Sequence, residues 1–167
     1  MLELSDIDTE AKFYEVEEKT SDDTKVLHYS DFTNDIMYTN LYFDLRVLPQ
    51  ELITYANLLA EVMGAMNTEA YTFGELDNQL NINTGSFYTY INTFLVDHST
   101  DNFIPKFVIT HKATEDKEEV AMDLIAEIIN HSIYNDTERL ETLLQRHYSN
   151  QKSFINGQGI NVALTRF

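Results

Sequence analysis

The residues that could bind a metal ion or activate water are spread along the chain. Its five histidines are His28, His98, His111, His131 and His147, and none has a second histidine three or four residues away. There is no cysteine, so a thiolate metal site is excluded. Isolated ligands seldom form a zinc site, so we expect His28 and His111 to be partly buried in strands. His131 and His147 fall on amphipathic helices, and His98 falls in a polar loop.

Other groups that could carry catalysis show no recognisable arrangement. The acidic segment Asp6–Glu10 precedes the first predicted strand and is typical of a solvated terminus. Gly157–Gly159 is not a phosphate loop, because no Lys-Ser/Thr follows it and a helical segment precedes it. No serine lies in a Gly-x-Ser-x-Gly turn. A serine triad, or a hydrolase that uses unassigned carboxylates, stays open on the sequence alone.

The charge balance excludes several classes of partner. The 167 residues contain 11 Lys and Arg against 28 Asp and Glu, for a formal net charge of −17. Binding to nucleic acid or to an anionic membrane surface requires clustered cations, so neither is expected. No apolar run approaches the ~20 residues that span a bilayer, and the acidic segment Met1–Lys19 is no signal peptide. The composition is that of an acidic, soluble globular protein.

The elements that must position these residues begin with strands. Alternating apolar residues predict strands over Lys12–Lys19, Val26–Phe32 and Ile36–Leu45, which we expect to form a meander. Two further strands, Phe87–Val96 and Phe103–His111, flank a polar loop and predict a hairpin.

Helices follow each group of strands. Pro49–Met66, Thr72–Asn83 and Thr114–Ser132 have helical spacing, and Thr72 with Glu75 forms a capping-box signature. A fourth helix starts at Asp136-Thr137, with an interruption at Asn156–Gly159. The order βββ-αα-ββ-αα predicts an α+β fold: a two-layer domain over residues 1–167, with an antiparallel sheet covered on one face by helix pairs. The sheet residues expected in its core are Leu41, Phe43, Leu45, Phe107 and Ile109.

A resemblance to a known family extends over nearly the whole chain. The segments that carry it are Val26–Tyr29, Phe32–Ile36, Tyr38, Leu41–Leu45, Leu48-Pro49, Thr68–Thr72, Thr84-Gly85 and Gly157–Ile160, with Ala163. They resemble the presequence-protease branch of the insulinase-like zinc metallopeptidases, peptidase family M16, subfamily C. The resemblance implies one quarter of a protein whose four homologous α+β domains close around an unfolded peptide. This chain is similar to the third domain, which is non-catalytic.

The resemblance also identifies where a zinc motif would fall. The catalytic domain of the family carries His-x-x-Glu-His on a helix, followed by Gly-Ser/Thr-x-x-Tyr. Aligning the second segment with Asn67–Tyr71 places the motif at Leu58–Val62, with Leu58 and Val62 at the two histidine positions and Glu61 at the general-base position. A lone carboxylate cannot hold zinc, so we expect no catalytic or metal-binding residue in this chain. Zinc would belong to the catalytic domain of the parent enzyme.

The function implied is that of a non-catalytic domain of a zinc-dependent oligopeptide-degrading metalloendopeptidase, inactive alone and forming part of the chamber wall. Its partners would be the other domains of the parent and a peptide substrate; the negative charge is compatible with basic peptides. A bacterial cytoplasmic location is expected. The alternative is a free-standing binding or assembly module with a degenerate peptidase fold.

Overall fold

Strands and helices are mixed along the chain in the computed structural model, which describes residues 14–97, 99 and 101–164. The strands are β1 (Glu17–Ser21), β2 (Thr24–His28), β3 (Ile36–Asp44), β4 (Ser86–Leu95) and β5 (Phe103–Thr114). The helices are α1 (Ile53–Val62), α2 (Phe73–Asn83), α3 (Glu118–His131), α4 (Thr137–Gly157) and α5 (Gly159–Leu164). All strand pairs are antiparallel, and the predicted α+β class is confirmed. Asp6–Glu10 and His98 lie outside the described residues.

Strands β1 and β2 form a hairpin within the first of two compact units, Met1–Asp35. Its two-residue turn, Asp22-Asp23, has φ angles of 46° and 63°, the left-handed backbone that type I′ hairpin turns require. Every residue described in this unit is exposed. The predicted three-strand meander is therefore wrong: β1 and β2 form their own two-stranded sheet, while β3 belongs to another.

The second unit, Ile36–Phe167, contains a three-stranded sheet in the order β3-β5-β4. Thr39 pairs with His111, and His111 pairs with Phe87, so these three side chains lie in one row on the same face. The predicted hairpin of β4 and β5 is confirmed. Strand β5 is central and is the most buried of the five.

The main core lies on one face of this sheet. Phe107 and Ile109 of β5 pack there with Leu45, with Ala56 and Ala60 of α1, and with Ile125 of α3. Leu41 of β3 is partly buried against the same cluster. Phe43 was expected there but is 45% exposed. It lies on an edge strand, whereas the covering helices pack on β4 and β5.

Local signals at the helix ends had mixed outcomes. The capping box of α2 is confirmed: the Glu75 amide donates to Thr72 Oγ1, and the Thr72 amide donates to Glu75 Oε2. Asp136 caps α4 as expected, by accepting from the Arg139 amide. Thr114 is not the cap of α3, because β5 continues to Thr114 and a short 3-10 turn, Glu115–Lys117, precedes the helix.

The longer predicted helices are also shorter or divided. Pro49 precedes a 3-10 turn, Gln50–Leu52, and α1 ends at Val62 rather than at Met66. The interruption predicted near Gly157 is confirmed by the break between α4 and α5. None of the helices in the described part of the chain is long and apolar enough to cross a membrane.

Candidate functional site

The three positions aligned with a zinc motif lie on the last two turns of α1. Val62 is 5% exposed and packs against Met66 and Leu143, in a small cluster between α1 and α4. Leu58 is half-buried, and Glu61 is exposed. The position aligned with the second zinc histidine is therefore an apolar core position in this fold. The identification of the three residues as a degenerate motif stays a prediction.

The Glu61 carboxylate has a partner that the sequence pattern did not reveal. Its Oε2 lies 3.0 Å from Nδ1 of His147, whose side chain is only 18% exposed. Arg139, two turns earlier on α4, donates from Nε to the Ala65 carbonyl at 3.0 Å. These contacts attach α4 to α1 and to the segment after it. Glu61 thus contributes to helix packing, and with His147 it supplies fewer ligands than the three or four protein groups of zinc sites.

All four described histidines lie beside a glutamate. His28 pairs with Glu17 across the hairpin, and His131 at the end of α3 pairs with Glu69. His28 is exposed, so its predicted burial is wrong: every described residue of its hairpin unit is exposed. His131 and His147 lie on helices as predicted. Among residues 14–97, 99 and 101–164, no three His, Asp or Glu side chains come together as a metal site would require.

The most buried of these pairs is formed by His111 and Glu118. His111 is 1% exposed, and its Nε2 lies 3.0 Å from Glu118 Oε1. The Thr39 hydroxyl donates to the same carboxylate oxygen at 2.8 Å. His111 Nδ1 and Glu118 Oε2 are buried without a hydrogen-bond partner. The trio fastens the first turn of α3 to two strands, because each of its members belongs to a different element.

The other face of the three-stranded sheet carries an unusual density of aromatic side chains. We call it the aromatic face; it consists of Tyr38 and Tyr42 of β3, Tyr88, Tyr90 and Phe94 of β4, and Val108 of β5 between them. The five aromatic side chains are 39% to 64% exposed, whereas Val108 is fully buried beneath its neighbours. The rings of Tyr42 and Phe94 meet edge to face, with centroids 5.8 Å apart. Sequence reasoning placed the tyrosines of β3 on this wet face but did not bring the two edge strands together across β5.

Positive charge borders this face, in contrast to the chain as a whole. Lys106 and Lys112 of β5 lie on it, in register with Asp44 and Tyr38 respectively. The Asp44 carboxylate receives Arg46 at 2.6 Å and Lys106 at 3.1 Å. Hydrogen bonds from the Arg46 side chain and backbone hold the pKa of Asp44 well below its usual range. One carboxylate is thus shared by two cations.

Comparisons with known proteins identify the family. The family described as peptidase M16 (subfamily C) associated matches residues 1–167. The chain is 33% identical over 166 residues to "Protein HypA" of Clostridium perfringens, covering 99% of this chain and 17% of that protein. It is 26% identical over 165 residues to presequence protease 1 of Arabidopsis thaliana, covering 99% and 15%. It is 25% identical over 144 residues to the mitochondrial presequence protease of Xenopus laevis, covering 86% and 14%.

These matches confirm the resemblance to the subfamily C peptidases of family M16. They also show that the chain spans only 14% to 17% of the length of these relatives. The activity of the longer proteins therefore cannot be read directly onto this segment. Because the family match includes every residue, the chain belongs to the family associated with peptidase M16, subfamily C.

Proposed function

We propose that residues 1–167 are one non-catalytic domain of a zinc-dependent metalloendopeptidase that degrades oligopeptides. In this proposal the chain forms part of the wall of the chamber that encloses the peptide. Zinc binds in another domain of the parent protein, and the partners of this chain are the remaining domains and the peptide. The location is the bacterial cytoplasm, a proposal that rests on the similarity to the Clostridium perfringens protein.

The observation that carries the proposal is the family match over the full chain, together with relatives named presequence protease. The matching segment makes up 14% to 15% of those two relatives, so it is one part of a larger architecture. The packing of Val62 supports a non-catalytic role. A zinc-binding histidine needs access to the metal and to a second imidazole, whereas Val62 contacts Met66 and Leu143.

The experiment is to express the complete open reading frame of the native gene and to assay it with unstructured peptides. We expect hydrolysis that a chelator abolishes, and an in-frame His-x-x-Glu-His domain before this segment. The matched control is the same protein with both histidines of that motif replaced by alanine. An open reading frame without a zinc domain would contradict the proposal and favour the free-standing module. Chelator-sensitive hydrolysis by the 167-residue chain alone would also contradict it.

A further inference from the structure

The aromatic face is wide enough to hold an extended peptide. Along β5 it runs from Lys112 to Ile104, a span of about 26 Å at roughly 3.3 Å per residue. Across the sheet it includes three strands at roughly 4.8 Å spacing. An extended segment of about eight residues would therefore lie on it along its full length. The helices of this unit leave the face open, because the core cluster with α1 and α3 uses the opposite face.

The chemistry of the face suits contact with side chains of varied sequence. Tyrosine offers a large apolar ring and a hydroxyl, and it loses little conformational entropy when it is held by a ligand. Four tyrosines and Phe94 stand around Val108, whose complete burial shows that the rings close over it and form the accessible surface. Exposed aromatic patches of this kind mark interaction surfaces, because isolated soluble proteins seldom leave them uncovered.

Charge complementarity selects the type of peptide. Lys106 and Lys112 lie on the strands of the face, Arg46 borders it, and Asp44 is the one carboxylate among its strand positions. The remaining acids of this −17 chain would repel an acidic ligand at long range. At physiological ionic strength the Debye length is about 8 Å, so charges on other surfaces are largely screened, and the nearby cations decide.

We propose that the aromatic face binds extended peptide segments in which carboxylate side chains alternate with apolar or aromatic ones. The tyrosines and Phe94 contact the apolar side chains, and Lys106 and Lys112 receive the carboxylates. This inference rests on the proposed function for the identity of the ligand as a peptide. It differs from the preference for basic peptides that the net charge alone suggests, because the cations are concentrated where the peptide would lie.

The test uses three unstructured 12-residue peptides that share the same leucine, phenylalanine and serine positions. Four remaining positions are all Glu, all Gln or all Lys. Binding of each fluorescein-labelled peptide to the 167-residue chain is followed by anisotropy at low and at high salt. We expect the Glu peptide to bind about tenfold more tightly than the Gln peptide, and the Lys peptide most weakly. The Glu advantage should shrink at high salt.

Two pairs of variants assign the contacts. Replacing the highly exposed Tyr38 and Tyr88 by alanine should weaken binding of all three peptides by about tenfold. Replacing Lys106 and Lys112 by methionine should remove the Glu preference and leave Gln binding intact. The matched controls are Tyr55→Ala on α1 and Lys152→Met on α4, which are exposed elsewhere. Far-UV circular dichroism checks that each variant is folded.

Several results would overturn the inference without affecting the zinc-based test of the proposed function. One is absence of binding to every peptide, and another is tightest binding of the Lys peptide. A third is an equal loss of binding in the control variants. Concentration-dependent dimerisation that Tyr38→Ala and Tyr88→Ala abolish would assign the face to a second copy of the chain instead.

Discussion

Replacing Val62 with histidine tests whether the second zinc position has become part of the core. The valine side chain is 5% exposed and packs between α1 and α4. Removing it from this contact forfeits about 1.5–2 kcal/mol of burial free energy. The imidazole that replaces it would be buried without a hydrogen-bond partner, which costs a further 1–3 kcal/mol or so. We therefore expect Val62→His to lower the free energy of unfolding by about 3–5 kcal/mol.

The comparison with Leu58→His makes the expectation specific to position 62. Leu58 is half-buried, so its imidazole can reach solvent, and the loss should be about 1 kcal/mol. Val62→Ala, which removes methyl groups without adding a polar ring, should fall between them at about 2 kcal/mol. Urea unfolding followed by circular dichroism at 222 nm measures all three.

Two outcomes would refute this reasoning. One is a Val62→His variant within about 1 kcal/mol of the wild type, the size of an ordinary surface effect, because a core position could not accept the imidazole so cheaply. The other is a zinc-dependent rise in the melting temperature of that variant, since ligand binding to the folded state is what would produce it.

Three further perturbations test the packing and the electrostatics. Glu118→Ala should cost about 2–3 kcal/mol in urea unfolding, since it leaves a buried imidazole and a hydroxyl without their acceptor, whereas exposed Glu119→Ala should cost less than about 1 kcal/mol. Gly64→Ala should lose about 1–2 kcal/mol or more, since φ is +77° and the new Cβ would lie 2.6 Å from a phenylalanine ring, while Gly74→Ala, with open space, should be neutral or stabilising; equal effects would contradict this. The pKa of Asp44 is lowered in the folded state, so its contribution to stability is present above the unfolded value of about 3.9 and is lost as the pH falls below it. The difference in melting temperature between wild type and Asp44→Asn should therefore narrow from about pH 6 to about pH 3, and a constant difference would contradict the assignment.

Features that depend on neighbouring residues could be predicted from the sequence. Thr72 and Glu75 stand three residues apart and satisfy each other's backbone amides, so the capping box was visible before the fold. The hairpin of β4 and β5 was equally visible, because its loop separates two strongly β-prone runs.

Features that depend on which elements meet in space could not be predicted. The alternation in Ile36–Leu45 assigned Phe43 and Leu41 to the same face, but it could not show that the helices cover one side of that face better than the other. The contact of Glu61 with His147 joins helices that are far apart in the chain, and no local spacing encodes it. The aromatic face likewise forms only when both edge strands pair with β5.

The zinc content of two purified proteins tests the central claim most directly: the 167-residue chain and the full-length product of its native gene. Each is dialysed against trace zinc, and bound metal is measured by inductively coupled plasma mass spectrometry. The account predicts stoichiometric zinc in the full-length protein and only background zinc in the chain. Stoichiometric zinc in the chain, or none in the full-length protein, would contradict it.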